Sequence, residues 1–197
     1  MSAVRNAVLL LLALWLAACS ASGARLNSDR IDKAYGSFGV EVLAADSNRR
    51  VSSLFSGSGT GRTTRTYAVI EFIGPTREPL RREHQAILSG ASIGETFRKA
   101  GWAIRKQNLF IGELEVPASY TKIAKLMRID LPAMLAVHQY LFIVSKDERT
   151  FTYAKITEVH HPDFMSAEKL RGIYGEILFD DSNRDSIHDF IGPPAVK

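Results

Sequence analysis

Ala136-Val-His-Gln-Tyr-Leu-Phe-Ile-Val-Ser145 and Thr150-Phe-Thr-Tyr-Ala-Lys-Ile-Thr-Glu-Val159 decide the fold class, with Lys146-Asp-Glu-Arg149 between them. Both runs are rich in β-branched and aromatic residues, which pack well on a pleated surface. The short polar break suits the turn of an antiparallel hairpin. Pro162 stops the second run because proline cannot donate to a strand ladder.

Working outward, residues 38–43, 50–55 and 65–73 read as further strands. They are broken by Asp46-Ser-Asn-Arg49 and Gly57-Ser-Gly-Thr-Gly61, both rich in turn-forming residues. Residues 79–88 have amphipathic spacing, with Leu80, His84, Ile87 and Leu88 near one face and Gly90 as a stop. Ser92 and Glu95 have the spacing of a capping box, which predicts a short helix to about Gly101. Residues 102–105 and 109–116 read as extended, 119–128 as a helix, and 166–174 as a helix capped by Ser166. Strands and helices are mixed without strict alternation, which points to an α+β fold with a mixed or mainly antiparallel sheet and several short helices. Asp-Ser-Asn-Arg recurs at 181–184 and Phe-Ile-Gly-Pro at 190–193, but the spacing differs from the first copies, so both are repeated turn chemistry rather than duplication.

The N-terminus carries a separate signal. Arg5 precedes a leucine-rich apolar run over residues 7–18, followed by Leu16-Ala17-Ala18-Cys19. The run is too short to cross a bilayer core, which needs about 20 apolar residues. A charged start, a short apolar run and small residues form the pattern of a secretory signal. The four residues ending in Cys19 resemble the lipobox of bacterial lipoproteins. That resemblance implies cleavage before Cys19, diacylglyceryl and acyl (palmitate-type) lipid on it, and a chain held to the cell envelope. Ser20, in place of aspartate, implies sorting to the outer membrane, facing the periplasm. The expected organisation is a signal peptide over 1–18, a lipidated end and flexible tether over 19–30, and one α+β domain over 31–197.

Without the signal, 179 residues remain, with 24 basic against 21 acidic and a formal charge of +3. A domain of that size buries about 70% of its unfolded surface and needs no disulfide for a core. The mild positive excess does not point to nucleic acid. Arg49, Arg50, Arg62 and Arg65 bracket the glycine loop and form a candidate basic patch for lipid headgroups or glycans.

Candidate chemistry centres on Glu158-Val-His160-His161-Pro-Asp163. Imidazole and carboxylate are the usual zinc ligands, which makes His160, His161 and Asp163 a candidate metal set. On a strand Glu158 and His160 share a face while His161 points away; His84 and His138 are possible distant partners. The segment 181–189 places oxygens at alternate positions like a calcium loop, but Ser186 and Gly192 stand where glycine and glutamate belong. Ser119/Lys122 and Ser166/Lys169 share the Ser-x-x-Lys spacing, without the companion motifs of the penicillin-binding enzymes. The glycine loop lacks the Gly-Lys-Ser/Thr of a phosphate-binding loop. No catalytic residues are assigned and no resident cofactor is expected. Two readings follow. One is a non-catalytic envelope lipoprotein that binds a protein, glycan or lipid partner; the other is a small metal-dependent hydrolase of an envelope substrate.

Overall fold

The computed structural model describes residues 26–73 and 78–175. In chain order these form α1 (Asn27–Tyr35), β1 (Gly39–Ala45), β2 (Arg49–Ser56), β3 (Thr63–Phe72), α2 (Arg81–Leu88), α3 (Ile93–Lys99), β4 (Ala103–Val116), α4 (Thr121–Met127), β5 (Ala133–Lys146), β6 (Arg149–His160) and α5 (Ala167–Tyr174). The strands make one antiparallel sheet in the order β1-β2-β3-β6-β5-β4, so the fold is α+β. No helix among the described residues is long and apolar enough to cross a membrane.

The hairpin is longer than its sequence signal. Strands β5 and β6 pair out to Lys146 and Arg149, leaving Asp147 and Glu148 as a two-residue loop. Both have positive φ, 49° and 62°, the left-handed pair that matches the right-handed twist of the strands. Strand β4 is continuous through the stretch that reads as two pieces. A register irregularity between Asn108 and Phe110 breaks its alternation. The domain also starts earlier than the tether reading allows: Leu26 and Asn27 are buried and α1 begins at Asn27. Ser166 caps α5 by accepting the Lys169 N–H at 3.2 Å. Ser92 stands at the N-cap of α3 without a side-chain bond, and Glu95 pairs with Lys99 at 2.7 Å, so neither half of the expected capping box forms.

Alternation gives the sheet two apolar faces. On one, Val51, Val69, Leu114, Leu135, Val137 and Val159 pack against Ile123 and Met127 of α4. The other is covered by four helices in two groups. At one end, Ile70, Phe142, Val144 and Ile156 pack against Leu80, Ile87 and Phe97 of the α2–α3 region. At the other, Ile111 and Ala136 pack against Ile31 of α1 and Leu170 of α5. The two helix groups meet where Arg98 of α3 pairs with Asp29 of α1 at 3.0 Å.

Candidate functional site

Strand register assembles the site. His138 of β5 lies opposite Glu158 of β6, Tyr140 lies opposite Ile156, and Asn108 of β4 lies opposite Tyr140. On the far side of β6, His160 lies opposite Thr66 of β3. Residues two apart share a face, so Glu158, His160, His138, Tyr140, Lys106 and Asn108 converge beneath α1 and α5.

Glu158 is the hub. Its Oε1 accepts the Tyr140 hydroxyl at 3.1 Å, and its Oε2 lies 3.7 Å from Lys106 Nζ. The side chains of Lys106 and Glu158 are 8% and 6% exposed, so this ion pair is largely withdrawn from water. The ammonium sits 4.0 Å from the Tyr140 ring centroid, a favourable cation–π contact. Its hydrogen bond is a long one, 3.4 Å to the Tyr174 hydroxyl, which also accepts from Arg30 at 3.0 Å. Burial, reinforced by the neighbouring Glu158 carboxylate, pushes the Tyr140 hydroxyl well above its ordinary range, so it stays a neutral donor.

Two imidazoles close the cluster. Asn108 Nδ2 donates to the Tyr174 carbonyl, which leaves its Oδ1 to accept from His138 Nε2 at 2.9 Å. That network assigns the His138 proton to Nε2 and leaves Nδ1 bare. The ring lies between those of Tyr140 and Tyr174, tilted by 40° and 36° with centroids 4.6 and 4.4 Å away. His160 Nδ1 bonds Thr66 Oγ1 at 3.1 Å, and Asn27 of α1 donates to the same hydroxyl. His138 Nδ1 and His160 Nε2 each lie 3.9 Å from Glu158 Oε2, beyond hydrogen-bond reach, and neither has a hydrogen-bond partner among the described residues. Burial holds His138 far below the ordinary imidazole range, with Lys106, His160 and Arg30 acting in the same direction. Burial also lowers His160, to about 4; Glu158 opposes that shift while Lys106 and Arg30 add to it.

A cleft opens onto this cluster. Lys106, Tyr140 and Glu158 lie at its polar end, and Leu26, Val40, Leu54, Ile93, Phe142 and Ile156 line its apolar walls. The cavity volume is about 70 Å³. Arg50, 1% exposed, is a further wall residue; its Nη1 donates to the Ile87 and Ala91 carbonyls at 2.6 and 2.8 Å, closing the end of α2.

Of the residues singled out from sequence, Glu158, His160 and His138 meet here. His161 does not. Its backbone N–H donates to the Arg65 carbonyl, and its Nδ1 accepts the Asp163 backbone N–H at 3.1 Å. The Asp163 side chain is 76% exposed, while that of His160 is 1% exposed. Among the described residues no group of three or more His, Cys, Asp or Glu is arranged to hold a metal ion. His84 instead bonds the Tyr153 hydroxyl at 2.9 Å in the α2–α3 core. The arginines do not pool into one patch. Arg62 pairs with Glu41 and stacks on Phe55, Arg65 stacks on Tyr35, and Arg50 is interior. Ser119 precedes α4 and is exposed, and Ser166 serves as a cap. Cys19 and the calcium-like segment 181–189 lie outside the described residues.

Lys106, Tyr140, Asn108, Arg30 and Tyr174 are the members that motif reading misses. Arg30 and Tyr174 come from helices, and Lys106 and Asn108 lie in the polar run Arg105-Lys-Gln-Asn108; only His138 and Tyr140, alternate polar positions of a strand, carry a sequence signal. No protein-family model matches the chain, and no curated protein shows significant similarity to it.

Proposed function

We propose that the chain is an envelope lipoprotein, anchored through Cys19 in the outer membrane and facing the periplasm, whose α+β domain is a non-catalytic module that binds a small ligand in this cleft. The observation that carries the reading is the Lys106–Glu158–Tyr140 group at the end of an apolar-walled cleft. A buried ion pair is a poor way to gain stability, since its desolvation cost rivals its attraction. Concave apolar sites with a few convergent polar groups are the usual form of a ligand site. The lipobox-like residues before Cys19 support the location.

A photoreactive amino acid placed at Ser28, on the cleft wall, tests this in living cells. The same residue at Glu148, in the remote hairpin turn, is the control. A small-molecule mass adduct at position 28 and none at 148 is expected. No adduct at 28, or equal adducts at both positions, contradicts the reading.

A further inference from the structure

We infer that the ligand is an anionic single-chain amphiphile of the fatty-acid type, drawn from the anchoring membrane, with its head group on Lys106 and its chain along the apolar walls; this rests on the binding reading above. Three observations carry it. The first is charge. Lys106 and Arg50 line the cleft and Arg30 bonds Tyr174 beside it, against the single carboxylate of Glu158. Of these cations, Arg50 is committed to backbone carbonyls, while Lys106 has three donors and, beside its 3.7 Å ion pair with Glu158, makes one hydrogen bond, the 3.4 Å bond to Tyr174. Beyond the 3.7 Å contact with Glu158, this nine-tenths-buried ammonium keeps donors unused at the end of a cleft whose cations outnumber its one carboxylate, which suits a further acceptor with negative charge. The first turn of α1, the positive end of its dipole, contributes Leu26, Asn27 and Ser28 to the same wall.

The second observation is shape. Beyond Lys106 the walls are apolar, so the ligand pairs an anionic head with a hydrocarbon body. About 70 Å³ admits a head group and the start of one chain, so the rest of the hydrocarbon lies outside the cavity.

The third observation is reach. Leu26 is on the cleft wall and Cys19 is seven residues before it. Seven residues span at most about 25 Å, so a lipidated Cys19 keeps the cleft within that distance of the anchoring bilayer.

The test uses the mature full-length chain held by its own anchor in phosphatidylcholine vesicles. The vesicles carry a diazirine-labelled long-chain fatty acid or the matching fatty alcohol, and labelled peptides are mapped by mass spectrometry. Acid labelling of the cleft walls about tenfold above alcohol labelling is expected, since a charge-assisted bond lost to a neutral head is worth at least that factor. The preference disappears in Lys106→Met and survives in Lys106→Arg. Equal labelling by acid and alcohol in the wild type, or a preference that persists in Lys106→Met, overturns the inference. Labelling by acid delivered from solution but not by vesicle-dissolved acid overturns the membrane as the source. The wild-type ratio stands whether or not the Met variant folds. A Ser28 adduct in cells without acid preference here leaves the binding reading intact, so the two can fail separately.

Discussion

At the scale of single residues, the Lys106–Glu158 pair dominates. Removing one partner of a buried pair strands the other, at a cost of about 3–5 kcal/mol, whereas neutralising both costs much less. Lys106→Met is therefore expected to lower unfolding stability by about 3 kcal/mol, and adding Glu158→Gln to restore at least about half of it. A double-mutant cycle in urea measures the coupling; strictly additive losses would show that the pair is not coupled. Titration gives a second prediction. His160 has an ordinary pKa near 6.5 when unfolded and about 4 when folded. Between those values the unfolded chain binds the proton and the folded chain does not, so stability is unaffected above pH 6.5 and falls as pH drops toward 4. His160 alone then lowers stability by about 2 kcal/mol between pH 7.5 and pH 5, and the buried His138 adds in the same direction. Urea midpoints at the two pH values check this, and a loss at pH 5 that His160→Gln leaves undiminished would contradict it. Sequence placed Glu158 and His160 on one face, but not His138 opposite them. An unbroken ladder from Lys146 and Arg149 sets His138 against Thr157. The irregularity between Phe142 and Ile143 shifts it onto Glu158, and one residue of slip moves a side chain to the other face. No local propensity announces that shift.

At the scale of elements, the β5–β6 turn holds two non-glycine residues in left-handed conformation. Asp147 tolerates this better than Glu148, because a short polar side chain bonds locally. Asp147→Asn with Glu148→Gly supplies the preferred pair for such a turn and is expected to stabilise the domain by about 1 kcal/mol, read as a higher Tm. A lower Tm would mean that the two side chains make contacts worth more than the strain they bear. Arg50 is a second element-level device, since it ties β2 to the carbonyl end of α2 through two bonds. Arg50→Met removes the Ala91 carbonyl's donor and leaves the Ile87 carbonyl with the Gly90 N–H alone, with an expected loss of about 2 kcal/mol in urea. A loss below about 1 kcal/mol would assign the Ala91 carbonyl another donor. The hairpin, β3 and the Ser166-capped α5 were legible because periodicity, turn residues and caps agreed. Strand β4 read as two pieces because its bulge interrupts the pattern on which the reading depends. Helix α1 was missed for a different reason: its polar composition, Asn-Ser-Asp-Arg, resembles a linker, and its burial comes from Leu26 and Ile31 docking on the rest of the domain.

At the scale of the whole molecule, the proposal joins a lipid anchor to a cleft that opens beside the first turn of α1. The fold class was readable from strand and helix order, but the site was not, because its members come from α1, four strands and α5, and only tertiary packing gathers them. If the anchor reading is right, Cys19→Ala accumulates as uncleaved precursor, visible as a heavier band and lost from the outer-membrane fraction. The first measurement to make is the intact mass and N-terminal peptide of the chain isolated from its native membranes. The account expects residues 1–18 to be absent and Cys19 to be the first residue, carrying diacylglyceryl and acyl lipid. An unmodified Cys19, or an N-terminus at any other residue, would contradict it and detach the cleft from the membrane.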